Sequence, residues 1–418
     1  MQSEPVPVVG ALIFDADDRL FLLRRAADRA LYPGCWDIVG GHIEPGERPL
    51  AALRREVAEE TGWRVRDISG ELPRWTWTGD DGLTYVEQDF FVTVDGDPGA
   101  DGSPTVDRDL AADGSPTVDG DLAAGGGLAA GGGLAGPRLD AVEHSGFRWL
   151  AESELSLLDE DRSLIRQLAG RGFTALRAGY PARVAPALDR AFGTAMGAVA
   201  ELGGKDLVGV HGGVELVGWM INFRTALAWP GRWVPVRGAE AVRRYGGDPG
   251  KFWATVRAAA DAGYVELAED AGGFRALARG AAFLTELSAH QERVLAEHWA
   301  GQRTRVARTA EVLGRLLTAA GSTAGAAFAA LAPPYETGAG THAVLLNRMG
   351  TLRYHRADAH AAAWRAAGLS AAQVVALGDG PERDAIEAET NRLAAPPFAV
   401  LSAAERATLL DDLSTLAG

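Results

Sequence analysis

Cysteine is almost absent: Cys35 is the only one in 418 residues, so no disulfide can form within the chain. Long apolar runs are missing too. Every alanine-rich stretch is broken by charge, proline or glycine before it reaches the roughly 20 residues that cross a bilayer, which excludes a spanning helix. The opening Met1-Gln-Ser-Glu-Pro-Val-Pro has neither the basic nor the apolar region of a secretion signal. Positive charge is in deficit, with 41 Lys and Arg against 56 Asp and Glu and a net charge of −15. That balance argues against a protein built mainly to neutralise nucleic-acid phosphates. Together these absences predict a soluble, cytoplasmic protein without a membrane partner, and the length predicts two or three domains.

The most constrained stretch runs from Gly41 to Trp63. Pro45-Gly46 makes a turn, and helix formers follow from Pro49 to Thr61, with Leu50, Leu53 and Val57 spaced to give one apolar face. Glu56, Glu59 and Glu60 lie at i, i+3 and i+4, so their carboxylates converge on one side of that helix. Crowded acids repel unless cations neutralise them, and hard oxygen donors grouped in this way suit Mg²⁺ or Mn²⁺. A solvated acidic face is the other reading of such a cluster.

The whole pattern decides between the two. Gly41, Glu47, Arg55, Glu56, Val57, Glu59, Glu60, Gly62 and Trp63 fall at the spacings of the Nudix box, which this stretch resembles. The resemblance implies an α/β/α Nudix sandwich with a mixed sheet and a pyrophosphohydrolase acting on a nucleotide-type small molecule. The expected substrate is a nucleoside diphosphate linked to another group, as in a nucleoside triphosphate or a nucleotide sugar. It also implies that Glu56, Glu59 and Glu60 bind Mg²⁺ or Mn²⁺, that the Gly40 carbonyl adds a further ligand, and that Arg55 pairs with Glu47 to hold the loop on the helix. Water then displaces one phosphoryl group from a linkage whose phosphorus the cation makes more electrophilic. In the family a carboxylate on a later strand or loop often activates that water. Glu87, in Tyr85-Val86-Glu87-Gln88-Asp89, is the candidate here, with a solvent-facing strand residue as the other reading.

Around the box, Val6–Phe14 and Leu20–Leu23 are expected to form a hairpin about Asp15–Asp18. Arg24 and Arg25 either face substrate phosphates or are simply solvated. Trp36–Gly41 enters the box as a strand, and strands are expected over Arg64–Ile68, Arg74–Thr78 and Leu83–Val94. Trp75 and Trp77 share one face of their strand, for core packing or for stacking on a base. A polar, glycine-rich segment at about 97–138 repeats itself, with Asp101–Ala112 recurring almost unchanged as Asp113–Ala124. It cannot bury a core and reads as a disordered insertion, and its aspartates lack the ligand order of a calcium loop. A strand over His144–Leu150 and helices over Ala151–Leu158 and Ser163–Gly170 complete a domain spanning residues 1–172.

Residues 173–418 change character: alanine dominates and helical periodicity recurs over Val184–Leu202, Val214–Ala228, Pro249–Ala262, Leu284–Ala319 and Thr351–Ala367. A helix from Pro249, stopped at Gly263 and followed by a short hairpin turning at Asp270, resembles the recognition helix and wing of MarR-like winged helix-turn-helix proteins. The implied DNA partner is disfavoured by the residues themselves. Lys251, Arg257, Arg275 and Arg279 stand against Glu266, Glu269 and Asp270. His355 and His360 lie five positions apart on a helix and diverge, so with Asp358 and His342 they make a poor metal site. The rival to a hydrolase is a Nudix-related transcription regulator, and the intact box favours catalysis.

Overall fold

The computed structural model describes residues 4–15, 17–95, 136–159, 161, 163–245, 248–268 and 272–418. The repeats assigned to the insertion lie outside the described residues, as do Glu269 and Asp270 of the expected wing. The chain divides into two compact units, Met1–Phe173 and Thr174–Gly418.

In the first unit, β1 (Val6–Ile13), β4 (Val39–His42), β5 (Arg64–Glu71), β6 (Trp75–Thr78) and β7 (Thr84–Asp95) form a mixed sheet in the order β4-β1-β7-β5, with β6 also on β7. The β1–β7 pairing is parallel and the others are antiparallel. A second sheet holds β2 (Leu20–Arg25) between β3 (Trp36–Asp37) and β8 (His144–Leu150). The expected hairpin is therefore not one: β1 and β2 touch through a single bridge, Phe14 to Leu20, and then part into different sheets. Trp36–Gly41 is likewise cut in two at Ile38, with β3 serving one sheet and β4 the other.

β1 is buried on both faces, as a central strand with layers on either side requires. Val9, Ala11 and Ile13 point into a core with Leu53 and Val57 of α1 (Pro49–Thr61). Leu12 faces the opposite side, where Gly172 comes close enough that an added Cβ would stand 3.2 Å from its methyl. On α1 the buried stripe is Ala52, Leu53, Val57, Glu60 and Thr61, whereas Leu50, expected on that stripe, is exposed in the first turn. Gly62 ends the helix in the left-handed region at φ 69° and donates its N–H to the Ala58 carbonyl. Trp63 follows, buried against Phe21 with ring centroids 4.8 Å apart and against Trp149 at 6.3 Å.

The second unit is mostly helical. Its larger core gathers α2 (Ile165–Val199, from Thr174 onward), α7 (Ala278–His298), α8 (Arg303–Ala320), α10 (Thr341–Ala366) and α13 (Ala403–Leu416). A smaller core joins α4 (Met220–Leu227), α6 (Pro249–Asp261) and a sheet of β9 (Val234–Pro235), β10 (Val265–Leu267) and β11 (Gly273–Ala276). Asp248 caps α6 by accepting from the Gly250 N–H at 2.8 Å. The helix expected over Leu284–Ala319 is two helices, because the chain turns at Gly301, whose φ of 81° no helix interior allows. His342 pairs with Glu292, His355 with Thr323, and His360 with Tyr245, while Asp358 pairs with Arg244 and accepts from the Ala327 and Phe328 N–H groups at the start of α9 (Ala326–Leu331).

Trp63 links α1 to the β2–β8 pair, so Trp63→Ala should cost about 3–5 kcal/mol of stability. Hydrogen exchange would show it as lost protection in residues 4–95 with protection after residue 174 retained.

Candidate active site

The site begins where β4 runs into the turn before α1. Two glycines are needed there for space. A Cβ on Gly41 would lie 2.4 Å from Glu56 Oε1, and one on Gly40 would lie 2.3 Å from the Val9 carbonyl oxygen. Arg55, midway along α1, gathers the loop onto the helix. It donates from Nε to Glu47 Oε1 at 3.2 Å and from Nη2 to Glu47 Oε2 and the His42 carbonyl, each at 3.0 Å. Its Nη1 reaches Glu56 Oε1 at 2.8 Å and Glu59 Oε2 at 3.0 Å. The expected Arg55–Glu47 pair is thus present, and the guanidinium bond holds the Glu47 carboxyl below the usual carboxylate range.

The acids differ in surroundings. Glu59 is exposed, Glu56 half-buried, and Glu60 buried with Oε2 accepting from the Gly40 N–H at 2.9 Å. Burial raises the carboxyl of Glu56 against the opposing pull of Arg55, and raises that of Glu60 well above its ordinary value. The three box carboxylates thus sit in three different surroundings around Arg55 and Gly40, and the buried one, Glu60, is not a solvated acidic face.

Glu143, in the turn before β8, and His144, the first residue of β8, bring one donor atom each to within 4.8 Å of one another and of Glu60. Glu143 is also paired with Arg29, Nη1 to Oε1 at 2.8 Å. An acid-His pair entering a strand was the available signal, but its partner Glu60 lies more than eighty positions earlier in the chain.

A cavity of about 370 Å³ opens over these groups. Arg25 and Arg29 line it, with Arg25 held to Asp37 at 3.2 Å, whereas Arg24 turns out to lie 5.8 Å from the Trp36 ring centre. Burial pushes the Asp37 carboxyl up to about 6. The far wall is aromatic. Trp75 and Trp77 line the cavity with Tyr32 and Tyr85, and the Trp77 and Tyr85 rings stack 4.2 Å apart, so the tryptophan strand face serves the cavity rather than the core.

Glu87 belongs to that wall. Its Oε2 accepts from Trp77 Nε1 at 2.6 Å, and Asp89 behind it accepts from Trp75 Nε1 at 3.2 Å. Burial first, and then the neighbouring Asp89, push the Glu87 carboxyl up to about 9. Glu87 is therefore buried rather than solvent-facing, with its carboxyl held above the ordinary value. A carboxyl raised by folding favours the folded state below its unfolded value of 4.5, and this contribution is lost as pH rises towards 9. Glu87→Gln should remove that loss. Urea unfolding between pH 5 and 9, set within this window, should show the variant gaining on the parent as pH rises.

Residues 4–112 match the family model described as NUDIX domain. Nucleoside triphosphatase NudI of Escherichia coli (strain K12) is 44% identical over 64 residues, which is 15% of this chain and 44% of that protein. The chain thus spans less than half the length of the curated relatives it matches. Among solved structures, the MutT protein of Methanosarcina mazei Go1 is 21% identical, covering 41% of this chain and 96% of that one at a TM-score of 0.27. A C. elegans Ap4A hydrolase binary complex is 17% identical, covering 42% and 98% at a TM-score of 0.27. The match over residues 4–112, which contains the complete box at Gly41–Trp63, identifies a NUDIX domain in the N-terminal part of this chain.

Proposed function

We propose that the first unit is a divalent-cation-dependent hydrolase that cleaves a phosphoric anhydride bond in a nucleoside diphosphate linked to another group, nucleoside triphosphates included. The observation that carries this reading is that Glu56 and Glu59, both bonded to Arg55, and Glu60, bonded to the Gly40 N–H, line one cavity together with Trp75, Trp77 and Tyr85. Glu56, Glu59, Glu60 and the Gly40 carbonyl would hold Mg²⁺ or Mn²⁺. When bound, the cation supplies charge that draws in the diphosphate and makes its phosphorus more electrophilic.

The chain's own residues divide the remaining work. Arg55 fixes the loop to the helix and orients Glu56 and Glu59. Arg25 and Arg29 line the cavity and offer positive charge to phosphate oxygens, and Trp75, Trp77 and Tyr85 offer flat apolar faces to a base. Glu87, named above as the candidate base, is held above the ordinary carboxylate range by burial and lies against Trp77, which suits contact with the organic part of the substrate. Glu143 stands beside Glu60 and is paired with Arg29.

For the second unit we propose a winged-helix-like fold, supported by the order α4, β9, a helix at Val236–Val242, α6, β10, β11 and by the sheet order β10-β11-β9. The transcription-regulator reading gains nothing from its surface: Arg275 is spent on Glu266 at 2.6 Å and Arg279 on the Ala262 carbonyl.

Phosphate and pyrophosphate release from a panel of nucleoside triphosphates and nucleotide sugars tests the enzyme. At least one should be turned over with Mg²⁺ and not with EDTA, and Glu60→Gln should lower kcat by roughly 10²–10³-fold, the scale of losing one preorganised electrostatic contact. A folded protein inert toward the whole panel would remove the reading.

A further inference from the structure

We propose that His144 is a ligand of the divalent cation, acting with Glu60 and Glu143. This makes the site one for a first-row transition ion such as Mn²⁺, Co²⁺ or Zn²⁺ as well as for Mg²⁺. The inference rests on the reading that this pocket holds a cation, and adds an imidazole to a donor set that the box supplies only with oxygen.

His144 is 5% exposed, and its ring is poorly partnered for so buried a group. Nδ1 has no hydrogen-bond partner, and Nε2 stands 3.4 Å from Glu60 Oε1, beyond ordinary bonding length for a well-aligned pair. The Nε2 edge of the ring is the one turned to Glu60, and a buried nitrogen held by nothing closer than that 3.4 Å contact is open to an ion shared with the carboxylates. Among the described residues, Glu60, Glu143 and His144 are the group whose donor atoms cluster within 4.8 Å.

The three come from two elements that the fold already fixes. Glu60 sits in the last turn of α1, tied to the Gly40 N–H at 2.9 Å. Glu143 and His144 are set by the backbone: Ala26 N–H donates to the Glu143 carbonyl at 2.8 Å, and His144 N–H donates to the Asp140 carbonyl at 2.9 Å. His144 then pairs with Arg25 as β8 joins β2. Arg29 occupies Glu143 Oε1 and leaves the other oxygen free to turn to an ion. The donors therefore need little rearrangement to close on a cation.

Donor chemistry sets the preference. Carboxylate and water suit Mg²⁺ and Mn²⁺, whereas imidazole suits the later first-row ions and adds little for Mg²⁺. Replacing His144 should therefore weaken Co²⁺ and Zn²⁺ more than Mg²⁺.

Pulsed electron paramagnetic resonance on the full chain with one equivalent of Mn²⁺ tests this directly, because a bound imidazole nitrogen modulates the manganese echo. The parent protein should show nitrogen modulation, and His144→Gln, checked for folding by circular dichroism, should lose it. Co²⁺ affinity should fall at least about 10-fold in the variant, the scale seen when a ligating histidine's surroundings are disturbed, and Mg²⁺ affinity should change much less. His144→Asn replaces it if the glutamine variant does not fold. Mn²⁺ bound without nitrogen modulation, or modulation that survives in the variant, overturns the proposal while leaving the cation reading intact. Failure of Mn²⁺ to bind at all overturns both.

Discussion

The guanidinium of Arg55 is the contact on which the rest of the site depends. A loop of turn residues and a helix carrying three carboxylates have no reason to stay together in water, and the acids alone would push them apart. Arg55 resolves this by bonding Glu47 and the His42 carbonyl on the loop side and Glu56 and Glu59 on the helix side. A planar, permanently charged fork can do this, and a lysine point charge cannot. Gly41 is the steric counterpart, since any side chain there would strike Glu56.

With the loop fixed, the cavity encloses buried acids held above the ordinary carboxylate range. At the cation end Glu60 is enclosed with one N–H for company, a costly position for an ionised carboxylate and a useful one once a cation arrives. On the wall with Trp75 and Trp77, Glu87 and Asp89 sit side by side under two indole N–H groups, and burial raises both carboxyls as it raises that of Glu60.

What the sequence revealed follows the range of the interactions. The box was legible because its contacts are one or two helical turns apart, so Glu47, Arg55, Glu56, Glu59 and Glu60 could be read as one unit. Glu143 and His144 were not, because the pairing of β8 with β2 that brings them to Glu60 crosses the repeat segment. Strand partners failed for a related reason: β1 and β2 are adjacent in sequence and look like a hairpin, but each finds better burial in a different sheet. Trp75 and Trp77 were placed on the correct strand, yet alternation alone cannot say whether an aromatic face meets a core or a cavity. In the second unit the helical periodicity was legible, whereas the break at Gly301 was hidden by alanine-rich sequence that reads as helix on either side.

The central claim is that the box carboxylates bind nucleotide through a cation rather than directly. Calorimetric titration of a non-hydrolysable nucleoside triphosphate, with and without Mg²⁺, tests it most directly. Binding should be strong only with Mg²⁺, and Glu56→Gln should abolish most of that dependence. Equal affinity with and without the cation in the parent protein would contradict the account.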